Sequence, residues 1–338
     1  MNTVRDRIPV SQLQDAPDPS DRSGPMSLSL IIPCRNEARN LAVLLPQLCQ
    51  WLPRLAARWE VVLVDDGSTD DTSKVMAEWA RLPGFRALQL SRNFGKEAAL
   101  TAGLEAAAGD VVVMMDADLQ HPPALVEEMI ARWREGADVV YAIRESREDE
   151  PAFKRIGTRM FYKLLNQFHR FEVPEGAGDF RLLDRQAVNA LLALPERNRF
   201  MKGLYAWIGF KAVPLPYMPA PRAHGRTHFS KRSLFRLSID GLTAFANWPL
   251  RIVGALGVLL ALASFAYGGY LTFLYMLYGH NISGWTTIVV ALMLFSGVQM
   301  IFLGIIGEYI ARIFEEVKGR PLYLVRRELG QGLAAQTR

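Results

Sequence analysis

The chain has 338 residues, enough for one large α/β domain and something smaller. Its net charge of +5 is dispersed and forms no single basic run, which argues against a nucleic-acid partner. Two cysteines, Cys34 and Cys49, without histidine nearby, argue against both a zinc site and a disulfide framework.

The first 25 residues are polar and rich in Pro, Asp and Ser. They lack the hydrophobic stretch of a signal peptide and are expected to form a disordered tail. Ser27–Pro33 then reads as a short apolar strand, and the apolar spacing of Asn40–Leu55 predicts a helix. The pattern repeats: strand Glu60–Val64, helix Thr72–Arg81, strand Ala87–Leu90, helix Glu97–Ala107, strand Asp110–Met115. Alternation of this kind predicts an α/β fold with a mainly parallel sheet flanked by helices. Ligands bind such sheets beyond the carboxyl ends of the strands. Three polar clusters fall there: Arg35-Asn36-Glu37, Asp65-Asp66 and Asp116-Ala117-Asp118. They are expected to converge on one crevice.

Further on, Phe153–Phe171 interleaves Lys154, Arg155, Arg159, Lys163 and Arg170 with apolar residues. Such a helix either packs on a core with a solvated basic face or lies in a membrane interface. Phe229–Trp248 is a second interfacial candidate. Ile252–Tyr278 and Asn281–Gly307 contain no Asp, Glu, Lys, Arg or His. Each is about 27 residues long, where about 20 suffice to cross a bilayer as a helix. The connecting loop 279–284 lacks Lys and Arg, whereas Arg251 precedes the first stretch and Arg312, Lys318, Arg320, Arg326 and Arg327 follow the second. The positive-inside bias therefore predicts two spans with both termini cytoplasmic and the short loop outside. Attraction to anionic headgroups accounts for the basic balance.

Asp116 and Asp118 follow an apolar strand, with Gln120 two residues on. Hard oxygen donors at that spacing suit Mg²⁺ or Mn²⁺, which can also bind two phosphate oxygens. Asp65 and Asp66 follow another strand and are placed to accept from a nucleobase or ribose. Asp70 and Asp71 better fit a turn that caps the helix at Thr72. Ser91–Lys96 opens a helix with backbone N–H groups and two cations, Arg92 and Lys96, which suits a diphosphate. Neither a Walker A loop nor a Gly-x-Gly-x-x-Gly turn is present.

Pro33–Glu37, Asp65–Asp70, Ser91–Leu100 and Asp116–Gln120 together resemble family 2 glycosyltransferases of the dolichyl-phosphate mannose synthase type. The C-terminal half resembles the bacterial branch, the polyprenyl-phosphate (bactoprenol) glucosyltransferases, through Gly178–Leu182, Glu196–Phe200 and Gly307–Tyr323. The resemblance implies a nucleotide-sugar fold of the GT-A type over residues 26–228. An interfacial segment 229–249, two transmembrane helices within 250–311 and a cytoplasmic tail 312–338 would follow. It implies that Pro33, Arg35, Glu37 and Asp66 hold the nucleoside, and that Asp116, Asp118 and Gln120 hold the metal. Arg144 and Arg147 match its basic mobile loop. Arg222–His228 matches its acceptor motif, with Thr227 and His228 in place of Ser and Lys, so that Arg222 and Arg226 carry the charge there. His121 stands where the bacterial branch usually has Asp.

The implied reaction is inverting transfer of a sugar, with UDP-glucose the favoured donor, to polyprenyl phosphate at the cytoplasmic face of the inner membrane. GDP-mannose or a modified aminoarabinose donor would use the same chemistry. The acceptor phosphate has a second pKa of about 6 and needs no strong base. Asp179, in Gly-Asp-Phe-Arg, is therefore expected to orient groups near the reacting centre, alongside Asp118. Its alternative is an ion pair with Arg181 or a helix cap. A processive polysaccharide synthase would need more spans and a Gln-x-x-Arg-Trp motif. A non-catalytic scaffold or lipid-flipping partner would not need four aspartates at strand ends. The sugar, the base and homo-oligomerisation stay open at this level.

Overall fold

The computed structural model describes residues 22–122, 124–144, 173–174, 176–197, 199–218, 248–278 and 284–333. The chain divides into two compact units, residues 1–236 with 321–338, and residues 237–320.

The first unit realises the alternation read from the sequence. β1 (Ser27–Cys34), α1 (Ala38–Leu55), β2 (Arg58–Asp65), α2 (Thr72–Trp79), β3 (Phe85–Leu90), α3 (Lys96–Ala106) and β4 (Val111–Met114) follow in order. They are followed by α4 (Ala124–Arg134), β5 (Val139–Arg144), β6 (Ala177–Asp184), α5 (Arg185–Ala193), α6 (Met201–Trp207) and β7 (Ala212–Tyr217). Strands β3, β2, β1 and β4 run parallel at the centre of the sheet. β6 is antiparallel to β4 and β5, and β7 is parallel to β5.

The central strands are continuous apolar runs because both faces are covered. Val61–Val64 and Val111–Met114 are all fully buried. In α1 the buried stripe is Leu41, Leu44, Leu45, Leu48 and Leu52, which persists through Pro46 and Pro53. Each such leucine contributes about 1.5–3 kcal/mol by leaving water, which offsets the helix propensity those prolines cost.

Register places the loops of interest together. The Asp66 N–H donates to the Cys34 carbonyl at 2.9 Å, and the Met115 N–H to the Ile31 carbonyl at 2.9 Å. Parallel strands β1, β2 and β4 thus end level, and their following loops leave the same edge.

Two boundaries differ from the sequence reading. Arg22, placed there in a disordered tail, is buried and donates to the Trp133 and Ala137 carbonyls at 3.0 and 2.8 Å. It also pairs with Asp138 at 2.8 Å and Asp184 at 3.3 Å. One residue's ion pairs, not an apolar run, anchor this segment. Nor is the C-terminal segment wholly a tail. β8 (Val325–Gly330) pairs antiparallel with β3 and completes the order β7-β5-β6-β4-β1-β2-β3-β8. Tyr323 donates to Glu105 at 2.7 Å, and the Leu333 N–H to buried Glu60 at 3.0 Å.

The second unit contains α7 (Trp248–Tyr278) and α8 (Trp285–Lys318). Their 31 and 34 residues exceed the requirement for a bilayer. The apolar segments Val253–Leu274 and Ile288–Lys318 have mean hydropathies of 1.6 and 2.4, and none of either is buried within the protein. These are not soluble-core helices; their exposed Phe265, Met293 and Ile301 need an apolar surrounding. α8 runs past residue 311, the expected limit of the second span, and stops at Gly319 in the left-handed conformation. The 1–21 part of the expected tail, Phe153–Phe171, Arg147, Arg222, Arg226 and the rest of the acceptor motif lie outside the described residues, as do segment 229–247 and loop positions 279–283.

Candidate active site

The turn after β2 is built on Asp65. Its side chain is buried, accepting from the Ser68 N–H at 2.8 Å and the Ser73 hydroxyl at 2.5 Å. Asp65 therefore organises the turn, each of its oxygens accepting one hydrogen bond from it. Gly67 has φ +68°, and a Cβ there would lie 2.5 Å from the Asn93 nitrogen, so only glycine admits the 91–95 loop. Asp70 accepts from the Thr72 N–H at 3.0 Å and hydroxyl at 2.5 Å, the helix-start role its position predicts. A cavity of about 180 Å³ beside Asp65 is also lined by Ser73, Gln89 and Arg327; Asp66, Lys96, Asp116 and Asp179 take no part in it.

Asp66 faces the other way along the edge. It accepts from the Phe94 N–H at 2.7 Å and the Gly95 N–H at 3.0 Å. Burial raises its pKa, against these two hydrogen bonds and nearby Arg35. Two of the N–H groups expected to meet a diphosphate, those of Phe94 and Gly95, are thus given to Asp66, which shapes the loop. Asn36 joins the β1 and β2 loops, its N–H donating to Ser68 Oγ at 3.0 Å and its Oδ1 accepting from the Thr69 N–H at 2.8 Å. Pro33 is half-buried and Arg35 exposed at the same edge.

Lys96 is the centre of the arrangement. Its ammonium lies 2.6 Å from Asp116 Oδ1 and 2.7 Å from Asp179 Oδ2. Desolvation works against the charge, but Asp179 and Asp116 outweigh it, holding the lysine pKa above its ordinary range. Burial would likewise raise Asp179, yet Lys96 and then Lys202 hold it down at about 2. The partner of Asp179 is Lys96, not the Arg181 considered from sequence. Arg181 is buried, stacked 4.1 Å over Tyr205 and 5.5 Å over Tyr141, and donates to the Gly178 carbonyl at 3.0 Å.

After β4, Leu119 adopts φ 61°, costly for a branched side chain and typical of a constrained functional turn. The turn returns the Gln120 N–H to Asp118 Oδ1 at 3.2 Å, and Gln120 Oε1 accepts from Arg144 at 3.4 Å. His121 is buried and stacks on Phe180 at 4.5 Å, fixing the loop to β6. Burial raises the Glu37 carboxyl; its Asn40 hydrogen bond opposes this, and Asp118 and Asp116 reinforce it. Glu37, Asp116, Asp118, Gln120, Lys96, Arg144 and Asp179 thus share one crevice edge.

Asp116, Asp118 and Gln120 offer two carboxylates and an amide oxygen, all partly exposed. Among the described residues no three His, Cys, Asp or Glu side chains converge. Such a donor set fits a hard cation that completes its shell with water and phosphate oxygens, as Mg²⁺ does.

The glycosyl transferase family 2 model matches residues 29–192, and the GtrB C-terminal hairpin model matches residues 248–313. A glycosyltransferase of Synechocystis is 42% identical over 301 residues, 89% of this chain and 95% of that protein. The chain belongs to glycosyltransferase family 2. The SfII prophage-derived bactoprenol glucosyl transferase of Shigella flexneri is 37% identical over 303 residues, 89% of this chain and 98% of that one. Among solved structures, mannosyl-3-phosphoglycerate synthase from Rubrobacter xylanophilus is 22% identical with TM-score 0.45, covering 72% of this chain and 80% of that one. Glucosyl-3-phosphoglycerate synthase from Mycobacterium tuberculosis, solved with Mn²⁺ and UDP, is 20% identical with TM-score 0.42, covering 67% and 80%. The sheet and flanking helices of this glycosyltransferase are the GT-A architecture of its family, followed by two apolar helices.

Sequence reasoning missed the Lys96 bridge between Asp116 and Asp179, which no local pattern marks.

Proposed function

We propose that this glycosyltransferase moves glucose from UDP-glucose to polyprenyl phosphate at the cytoplasmic membrane face, with inversion. The observation that carries the reading is the Lys96 bridge between Asp116 and Asp179, which joins the diphosphate side of the crevice to the reacting side. The bactoprenol glucosyl transferase relatives, matched nearly end to end, support the lipid acceptor.

An acceptor phosphate oxygen attacks the anomeric carbon while its bond to the diphosphate breaks, and the electron pair leaves with the nucleoside diphosphate. Asp116, Asp118 and Gln120 would hold Mg²⁺ or Mn²⁺, which when bound neutralises diphosphate charge. Lys96 offsets the two carboxylates so that an anionic donor can enter, and Arg144 adds positive charge beside Gln120. Asp179, held at about 2, stays ionised and is a weak base. It orients the donor or acceptor and takes no proton, as a phosphate dianion requires. Arg147, Arg222 and Arg226 are proposed to meet the acceptor headgroup.

A screen of radiolabelled UDP- and GDP-sugars with membranes and polyprenyl phosphate tests the donor. Label from UDP-glucose is expected in the lipid; label only from GDP-mannose, or only from an aminoarabinose donor, would overturn the choice.

The order of the chain supports a membrane hairpin. It leaves the first unit before residue 237, forms α7 and α8, and returns to supply β8. The return of the chain to the same sheet as β8 supports an even number of crossings. The Lys/Arg bias supports a cytoplasmic position for that sheet. With Cys34 and Cys49 changed to Ser, a cysteine introduced at Ser283 is expected to react with impermeant maleimide on intact spheroplasts. A cysteine at Gln336 is expected to react only after lysis, and the reverse pattern would invert the topology.

A further inference from the structure

The segment that follows α8 in the chain is tied to both ends of the element carrying Lys96, and the mechanism above makes no use of it. Tyr323 donates its hydroxyl to Glu105, in the last turn of α3, at 2.7 Å. Arg86 on β3 donates to Glu328 of β8 and to the carbonyl of Ala106, the last residue of α3, both at 2.7 Å. Glu60, buried on β2, accepts from the Ala108 N–H at 2.7 Å and from the Leu333 N–H at 3.0 Å. Glu105, Ala106 and Ala108 are thus each joined to the C-terminal segment, directly or through one side chain. Before the helix, the Ser91 N–H donates to the Leu324 carbonyl at 2.8 Å, which continues the β3–β8 ladder into the 91–95 loop. All of these residues belong to the first compact unit.

Lys96 is the first residue of α3. A helix of 11 residues is a stiff rod of about 16 Å, so a shift at its far end is delivered to Lys96. Packing fixes how near this rod lies to the sheet: Gly103 sits against Ile31, where an added Cβ would collide with that side chain. Hydrogen bonds are directional, and those at the two ends fix where the rod rests along and about its axis. The Lys96 ammonium, at 2.6 and 2.7 Å from its two carboxylates, has little room to move. We propose that residues 323–333 are a positioning element for the Lys96 bridge, with Tyr323 its direct contact to α3. The catalytic crevice then depends on chain that lies beyond both apolar helices in sequence. This inference rests on the reading that the Lys96 bridge serves the reaction.

The test uses the full chain in membranes and follows sugar transfer, with UDP binding as the check on folding. Tyr323→Phe is expected to lower kcat by about three- to tenfold, the worth of one hydrogen bond. Adding Arg86→Met, which cuts the route from Glu328 to Ala106, should bring the loss to about 10- to 30-fold. Glu105→Gln keeps an acceptor for the tyrosine and should stay within about twofold of wild type, whereas Glu105→Ala should match Tyr323→Phe. The decisive readout is the Lys96→Met background, where Tyr323→Phe should cost less than about twofold, because two changes acting through one group do not add. A merely structural role would cost the same factor in both backgrounds. The proposal is overturned by wild-type kcat in Tyr323→Phe, by equal impairment of Glu105→Gln and Glu105→Ala, or by an undiminished loss in the Lys96→Met background. Should the Arg86→Met combination fail to bind UDP, Tyr323→Phe alone decides. Lys96→Met separates the two levels. Retained turnover in that variant sinks the reading of the bridge itself, whereas its inactivity alongside a silent Tyr323→Phe sinks only the inference about the C-terminal segment.

Discussion

Replacing Lys96 by Met will lower turnover by about 10²- to 10³-fold while the domain stays folded, the loss typical of removing one preorganised charge at a reacting centre. The lysine touches Asp116 and Asp179 at 2.6 and 2.7 Å. Without it, Asp179 loses its ion-pair partner and the crevice loses the ammonium that touches both carboxylates facing an incoming diphosphate. Lys96→Arg should recover little, because a planar guanidinium cannot replace a compact ammonium between two carboxylates at these distances. The stability profile gives an independent reading. Asp179 at about 2 lies below its unfolded value, so its contribution is full above about pH 4 and is lost as the pH falls through about 2. In the Met variant that loss should begin at higher pH, visible in thermal unfolding between about pH 3 and about pH 5. An active Lys96→Met enzyme with normal donor affinity would show that the bridge is not part of the reaction.

The parts of this site that the sequence discloses are those written along single strands and turns. Val61–Val64 and Val111–Met115 announce buried parallel strands, and the carboxylates that follow them must then leave the same edge. Asp70 could be assigned from its distance to Thr72 alone. What stayed hidden depends on contacts between distant elements. Asp65 and Asp66 are adjacent in sequence, yet one holds its own turn and the other holds the 91–95 loop, because successive residues leaving a strand point to opposite sides. The pairing of Lys96 with Asp179 joins residues 83 positions apart, and nothing local marks it. β8 is obscured by its composition: Val325-Arg326-Arg327-Glu328-Leu329-Gly330 has no apolar alternation, since an edge strand gains from charge.

That strand changes what a soluble fragment should be. A truncated chain ending at residue 236 lacks the hairpin but also lacks residues 321–338, which belong to the first unit. It will be destabilised by about 3–5 kcal/mol, from loss of a buried leucine and of a donor to a buried carboxylate. Leu333 is only 3% exposed, and Glu60, at 1%, loses the Leu333 N–H while keeping Ser29 and Ala108. The Arg86–Glu328 pair, the Tyr323–Glu105 hydrogen bond and the Ser91 N–H to Leu324 bond are lost too, and β3 is left as a bare edge. For a domain of this size the melting temperature should drop by about 10 °C, with rising aggregation. Joining 1–236 to 321–338 through a flexible Gly/Ser linker should restore most of that loss without either apolar helix. Equal melting temperatures for the two fragments would show that β8 contributes nothing. If the linked fragment is stable and binds UDP but transfers sugar only to a short-chain acceptor in solution, the hairpin's part is access to lipid. If only the unlinked fragment is inactive, the defect lies in the missing strand and not in the missing membrane segment.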